Sequence, residues 1–173
     1  MPEQKTSPVD VIALVEDQTS LNPIVVLQDR KTNRVLPIWI GDTEARAISL
    51  AMNKVKTSRP LTHVLIHRII EKMGGKMVNI IIDRIKNNTF FASINIETQG
   101  GLVRVDARPS DALAMAIEAD VQIFVSKAIM NSSSQENPFS SASAIRKKRV
   151  IKPEDMEKLR SMLERARERE QKS

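Results

Sequence analysis

Cysteine and tyrosine are absent from this chain of 173 residues, and aromatic residues make up only 3% of it. Without cysteine, neither a disulfide nor a thiolate-ligated metal site can form, as is typical of proteins in reducing compartments. The shortage of aromatic side chains disfavours an extended base-stacking platform for single-stranded nucleic acid. Apolar residues still reach 41%, which is enough for a packed core.

Long apolar segments are missing as well. No apolar run approaches the roughly 18 residues that a membrane-spanning helix requires. The first ten residues, MPEQKTSPVD, lack the apolar stretch of a secretory signal. We therefore expect a soluble, cytoplasmic protein that does not interact with membranes.

The basic excess is concentrated towards the C-terminus. The net charge is +6, and the residues from Asn131 onward carry 11 Lys and Arg against 7 Asp and Glu. The preceding 130 residues carry 16 against 14, so the globular part is nearly balanced and unlike an electrostatic clamp for nucleic acid. The basic run 146–149 would either attract phosphates or form a solvated linker end.

Apolar periodicity divides the first 130 residues into two similar halves. In the first half, three predicted strands within 9–40 precede a helix with Asp42 as its N-cap. In the second half, three predicted strands within 76–106 precede a helix that begins at Pro109. The pattern predicts an α+β fold, with duplicated β3-α units around a single curved, mostly antiparallel sheet.

A helix at 63–73 is predicted between the two halves, with Thr62 as its cap and Gly74 at its end. Its apolar residues recur at helical spacing and should face the core. These residues are Ile66, Ile69, Ile70 and Met73. Asn87-Asn88 predicts a tight turn between strands, because Asn tolerates a positive φ.

The chain is predicted to have three parts. Residues 1–130 form the domain, 131–152 a flexible linker that is rich in Ser and Asn before its basic end, and 153–173 a charged C-terminal helix. The apolar stripe of that helix is narrow, so it needs a partner surface to be stable. Together with exposed apolar strand faces, it makes a homodimer the expected assembly.

Three segments resemble the bifunctional nuclease family. They are LPIWIGDTEARAI (36–48), RPLTH (59–63) and VDARPSDALAMA (105–116), and the resemblance covers about residues 8–130. It implies a nuclease, a hydrolase that cleaves both DNA and RNA with low sequence preference. The family pattern usually continues the Thr-His pair with aspartate, whereas this chain has Val64.

Chemistry and resemblance together assign roles to the matching residues, because phosphodiester hydrolysis needs an activated water and charge neutralisation on the phosphate. The predicted catalytic residues are Glu44, His63 and Asp111. The predicted ligands of a divalent metal, Mg²⁺ or Mn²⁺, are Glu44, Asp106 and Asp111. The predicted substrate-binding residues are Thr62, Arg108 and Ser110.

Structural roles compete with each of these assignments. Glu44 and Asp111 lie in first helical turns, where acids interact favourably with the helix dipole. Thr62 and Ser110 are plausible helix caps, and Arg108 would equally pair with Asp111 to fix the turn. Asp106 would alternatively form an ion pair with Arg104. Trp39 is most simply a core residue, and Phe91 lies either at a subunit interface or against a stacked base.

Two other functions remain open. The same domain would also serve as a non-catalytic module that binds a ligand or a partner. An acyl hydrolase using Ser110 and His63 is less well supported, because Ser110 lacks the GxSxG elbow. A zinc site at His63 and His67 is disfavoured for want of a third soft ligand.

Overall fold

A computed structural model describes residues 6–17 and 20–137 of the chain. The N-terminal half contains β1 (Thr6–Glu16), β2 (Pro23–Asp29), β3 (Arg34–Trp39), α1 (Asp42–Met52) and α2 (Thr62–Lys72). The second half contains β4 (Lys76–Lys86), β5 (Thr89–Thr98), β6 (Gly101–Ala107) and α3 (Pro109–Glu118). The described chain ends with β7 (Gln122–Ser126), α4 (Lys127–Ser133) and β8 (Gln135–Glu136).

The strands form one eight-stranded sheet in the order β6-β5-β4-β7-β1-β2-β3-β8. Neighbouring strands of this sheet are antiparallel except β4 and β7, which are parallel. The predicted α+β fold with duplicated β3-α units is confirmed, because three antiparallel strands followed by a helix occur in each half. In the sheet, β7 joins the two halves.

The turns follow the local preferences of their residues. Asn87 and Asn88 both have positive φ, of 49° and 55°, and connect β4 to β5 as a two-residue hairpin turn. Gly74 follows α2 with a φ of 78°, the left-handed conformation that glycine adopts without a steric cost.

The main core lies between the sheet and its helices. It contains apolar side chains from β1, β2, β3, β4, β5 and β7, and α3 contributes Leu113 and Met115 to it. A smaller cluster covers the opposite face of the β1-β2-β3 half, with Ile24, Val26 and Val35 fully buried. Because β2 is buried on both faces, its run of apolar residues does not alternate with polar ones.

The predicted core face of α2 is wrong. Ile66 and Ile69 are exposed, and Met73 is 82% exposed, whereas Ile70 packs against the core as predicted. The helix instead buries His63, which shares one face with Ile70 because the two are seven residues apart. A stripe of Leu65 and the three exposed residues is therefore left outside the core.

Two smaller predictions also change. The sequence predicts residues 131–137 in the linker, but α4 extends to Ser133. After α4, the short strand β8 pairs with the edge strand β3 through backbone hydrogen bonds. Trp39 is partly exposed at the end of β3, where its indole N–H donates to Asp17 Oδ2 at 3.0 Å, so it is not a core residue. The predicted C-terminal helix at 153–173 lies outside the described residues. Within the described ranges, no helix is long and apolar enough to span a membrane.

Candidate active site at the starts of two helices

Arg108 joins the first turns of α1 and α3. Its Nε and Nη2 donate to the two carboxylate oxygens of Asp111, at 2.7 and 3.1 Å. Its Nη1 donates to Glu44 Oε1 at 3.0 Å. Glu44 and Asp111 occupy corresponding positions in the two repeats, so the duplicated fold brings three of the predicted site residues to one place.

The local sequence explains why these carboxylates point out of their helices. Each occupies the third residue of its helix, after Asp42-Thr43 in α1 and after Pro109-Ser110 in α3. In this position, a carboxylate interacts favourably with the positive end of the helix dipole. The N-cap positions belong to Gly41 and Arg108, so the predicted caps Asp42 and Ser110 are wrong. They fail because each lies inside the helix rather than ahead of it.

Gly41 is a residue that the sequence did not single out. A Cβ atom at this position would collide with Oε2 of Glu44. Its backbone is extended, with a φ of −83°, so the conformation itself does not require glycine. The missing side chain therefore provides the space in which the Glu44 carboxylate lies beside Arg108.

The guanidinium of Arg108 remains open to solvent although it is held by two acids. Its side chain is 68% exposed, and Asp111 raises the pKa of the guanidinium further above its ordinary value through their hydrogen bonds and charge, with a smaller contribution from Glu44. A guanidinium has five N–H donors, and these contacts use three of them. Within the part of the chain that the structure describes, two donors therefore remain for an anionic ligand, on a group already fixed in orientation.

Asp106 lies on a different surface. It pairs with Ser93 in the β5–β6 ladder, and Ser93 alternates with the core residues Ala92 and Ile94, so Asp106 points away from the helices. Its carboxylate is 73% exposed and accepts from Arg84 Nη2 at 3.3 Å. The structure therefore does not bring Asp106 to Glu44 and Asp111, and the expected partner Arg104 pairs with Asp83 instead.

Among the described residues, no side-chain hydrogen bond connects Thr62 or Ser110 to the Arg108 cluster. Thr62 is the exposed first residue of α2 and does not cap it, since Leu61 holds the N-cap position. Ser110 is buried in the first turn of α3. Phe91 stacks under the guanidinium of Arg84, whose central carbon is 4.5 Å from the ring centroid.

His63 is buried, with only 8% of its surface exposed, where α2 packs against α3. Burial lowers the pKa of its imidazole below 6.5, while the charge of Glu118 acts in the opposite direction. Glu118 lies seven residues after Asp111 in α3, about 10 Å along the helix axis. Among the described residues, no hydrogen bond or ion pair connects His63 to Arg108, Glu44 or Asp111.

Acidification below about pH 6.5 is expected to destabilise the protein through His63. Because the pKa of His63 is lower in the folded protein, the unfolded chain binds more protons in this range. The free energy of unfolding is therefore unaffected by His63 above about pH 6.5 and decreases as the pH falls towards the folded pKa. Denaturant unfolding between pH 7.5 and 5 should show a weaker pH dependence for His63→Gln than for wild type. The control His67→Gln should retain the wild-type dependence, and a His63→Gln variant as pH-sensitive as wild type would contradict the assignment.

The donor set fits a divalent cation only in part. Within residues 6–17 and 20–137, no group of three or more His, Asp and Glu side chains could hold a metal ion, so the predicted set of three carboxylates is not assembled. Two carboxylates, from Glu44 and Asp111, do meet at Arg108. Two are sufficient for Mg²⁺, which usually keeps several waters and binds one or two carboxylates together with substrate phosphates.

Comparison with known proteins assigns the domain to a family. The family model described as the bifunctional nuclease domain matches residues 25–138, which include α1, α2 and α3. This chain belongs to the bifunctional nuclease family. The family match continues past residue 130 to include α4 and β8, consistent with the ordered chain in that region.

The relatives of this bifunctional nuclease family member differ in sequence identity and in the share of their length that the alignment covers. An uncharacterized protein of Mycobacterium tuberculosis is 35% identical over 122 residues, which are 70% of this chain and 73% of that protein. Bifunctional nucleases 1 and 2 of Arabidopsis thaliana are 26% and 27% identical over 110 and 107 residues. These matches cover 34% and 32% of the plant proteins, so the plant chains contain much that has no counterpart in the alignment.

Proposed function

We propose that this protein is a nuclease that hydrolyses phosphodiester bonds of DNA and RNA at the Glu44–Arg108–Asp111 cluster. The observation that carries the proposal is the convergence of both helix starts on one exposed guanidinium. Arg108 is balanced by two carboxylates, so the cluster has a formal charge of −1, and a bound divalent cation would supply the further positive charge that a phosphate requires. The names of the plant relatives agree with this chemistry.

Arg108 has the role of phosphate clamp in this proposal. Its orientation is fixed by Asp111 and Glu44 before substrate arrives, so little reorganisation is needed when the phosphate binds. The two unused N–H donors then bind non-bridging oxygens of the phosphate. This binding reduces the repulsion between the phosphate and an attacking water.

Glu44 is the proposed general base. Its side chain is less exposed than that of Asp111, at 22% against 48%, and it shares only one of the Arg108 donors. A free carboxylate oxygen therefore remains to accept a proton from water. His63 has no part in this step because it is buried beside Glu118 at the other end of α3.

A divalent cation, Mg²⁺ or Mn²⁺, is included in the proposal. Glu44 and Asp111 are the side chains that would hold it, and Asp106 is not, because it points from the other face of the sheet. When bound, such an ion supplies charge neutralisation at the phosphate and lowers the pKa of a bound water. We therefore expect cleavage with Mg²⁺ or Mn²⁺ and its loss in EDTA.

The test is a cleavage assay on labelled single-stranded DNA, duplex DNA and RNA. Wild type, Glu44→Gln and Asp111→Asn are purified identically and assayed with Mg²⁺, Mn²⁺ or EDTA. We expect each variant to lose activity by about a hundredfold or more, as removal of a single catalytic group commonly does. Their thermal unfolding should remain close to that of wild type, because both acids lie at the surface.

Asp10→Asn is the matched control, because Asp10 is also an exposed acid that binds an arginine, Arg30 at 2.6 Å. It should cleave like wild type. Equal cleavage by wild type, Glu44→Gln and Asp111→Asn would overturn the site. Absence of cleavage by wild type under all conditions would overturn the nuclease proposal in favour of a binding module.

A further inference from the structure

Among the residues that the structure describes, strand β6 is the long open edge of the sheet. All residues from Gly101 to Asp106 are exposed, including the apolar residues Leu102, Val103 and Val105. The other edge, β8, is a strand of only two residues. Pairing between β5 and β6 proceeds without a bulge, and β6 contains no proline, so neither of these common protections blunts this edge.

We propose that β6 pairs antiparallel with β6 of a second copy of the chain, around a two-fold axis at Val105. In this register, Arg104 lies opposite Asp106 of the second copy, and Val103 lies opposite its Ala107. A shift of the axis to residue 104 would place arginine against arginine, and a shift to 106 would place aspartate against aspartate. Since like charges directly opposite are destabilising in a sheet, the strand's own sequence selects the Val105 register.

The charges next to β6 continue this complementarity. Within one chain, Arg104 Nη2 contacts Asp83 Oδ2 at 2.6 Å, and Asp106 contacts Arg84 at 3.3 Å. In the proposed pairing, a row of four charged side chains crosses the junction between the two copies. Asp83 and Arg104 come from one copy, and Asp106 and Arg84 come from the other. Charges therefore alternate in sign across the junction, and the two-fold axis produces this row twice.

The apolar residues of the edge would be covered on the helix side. Val103 and Val105 pair with Ile96 and Ile94, which belong to the core face of β5. Helix α2 packs against α3 and β4, and only its C-terminal end reaches β5, where Ile70 and Ile96 both lie beside Gly75. A second copy would bring its own α2 to the opposite side of the new strand pair, and the helix layers would lie on the same face of a continuous sheet.

Cysteine cross-linking tests the register in the full-length chain, because the wild type contains no cysteine. In Val105→Cys, the new thiol would face its own counterpart, at the Cα separation of about 4.5–5.5 Å that a disulfide accepts. Val103→Cys is the matched control, with similar exposure on the same face of the strand. Its counterpart would lie about 14 Å away, four residues along the partner strand.

Under mild oxidation, we expect Val105→Cys to form a covalent dimer that reductant reverses and Val103→Cys to remain largely uncross-linked. Sedimentation velocity should show a dimer for wild type. Arg104→Asp or Asp106→Arg alone should weaken the dimer by about tenfold or more, since each creates two like-charge pairs. The double variant Arg104→Asp with Asp106→Arg should regain part of the lost affinity, because it restores opposite charges across the axis but places like charges beside Asp83 and Arg84 within each copy.

Three results would overturn the proposal. A monomeric wild type would show that no second copy occupies the edge. Equal cross-linking of Val103→Cys and Val105→Cys would exclude this register. A dimer that is indifferent to both single charge reversals would mean that the copies meet at another surface. None of these measurements depends on nuclease activity, so the dimer and the proposed function fail independently.

Discussion

Replacement of Arg108 by methionine is expected to reduce cleavage of DNA and RNA by at least about a hundredfold. Methionine retains much of the side-chain length but none of the five N–H donors. The phosphate therefore loses its hydrogen-bond donors, and Glu44 and Asp111 lose the guanidinium that lies between them. Thermal unfolding should change little, because the side chain is 68% exposed. The measurement is the rate of cleavage at saturating and at limiting substrate.

Arg30→Met is the matched control. Arg30 is likewise an exposed arginine that binds a carboxylate, Asp10, through Nε and Nη2. It lies outside the cluster and should leave cleavage unchanged. Arg108→Lys should restore only part of the activity, because lysine supplies the charge without the fixed fork of donors. Full activity in Arg108→Met would exclude the clamp.

A second variant disturbs the same cluster without touching a charged group. Gly41→Ala is compatible with the backbone, but its Cβ would lie too close to Glu44 Oε2, so the end of the Glu44 side chain must shift beside Arg108. Displacement of a catalytic group by about 1 Å can reduce a rate a hundredfold. Gly100→Ala is the control, since a Cβ there has no neighbour closer than 3.8 Å.

Leu113→Ala is expected to have the largest effect on stability, lowering the free energy of unfolding by about 2–5 kcal/mol. Leu113 is fully buried, and the neighbouring α3 residues Ala112 and Ala114 are too small to fill the cavity. Urea unfolding monitored by circular dichroism measures the change. Leu65→Ala, an exposed position on α2, should change stability by less than about 0.5 kcal/mol. Similar losses in both variants would contradict the assigned core.

Local chemistry explains why the three strands and the helix of each half, and the turns, could be predicted. The positive φ of Asn87 and Asn88 and the start of α3 at Pro109 follow from preferences of the residues themselves. The repeated helix starts also predict that Glu44 and Asp111 occupy equivalent positions, and both side chains bond Arg108. For these features, a short stretch of sequence contains the necessary information.

Features that depend on distant contacts were predicted less well. The apolar periodicity of α2 indicated a core face, but the packing of His63 against α3 determines which side of the helix is buried. Asp106 lies only two residues before Arg108, but it still belongs to β6 and faces away from the core, whereas Arg108 has left the strand and begins α3. The space at Gly41 depends on a side chain that folds back onto its own helix start, which composition alone does not indicate.

The position of β7 has a consequence for how the chain folds. This strand pairs with β4 on one side and with β1 on the other, although it follows both of them in sequence. In the β1–β7 pair, for example, Val9 lies opposite Ile123. During synthesis, each half can form its own three-stranded piece, but the central edges stay open until residues 122–126 emerge. Such distant pairing slows folding, since a long loop must close before the contacts form. The half-sheets are therefore most exposed to mispairing with other chains before the last central strand has been made.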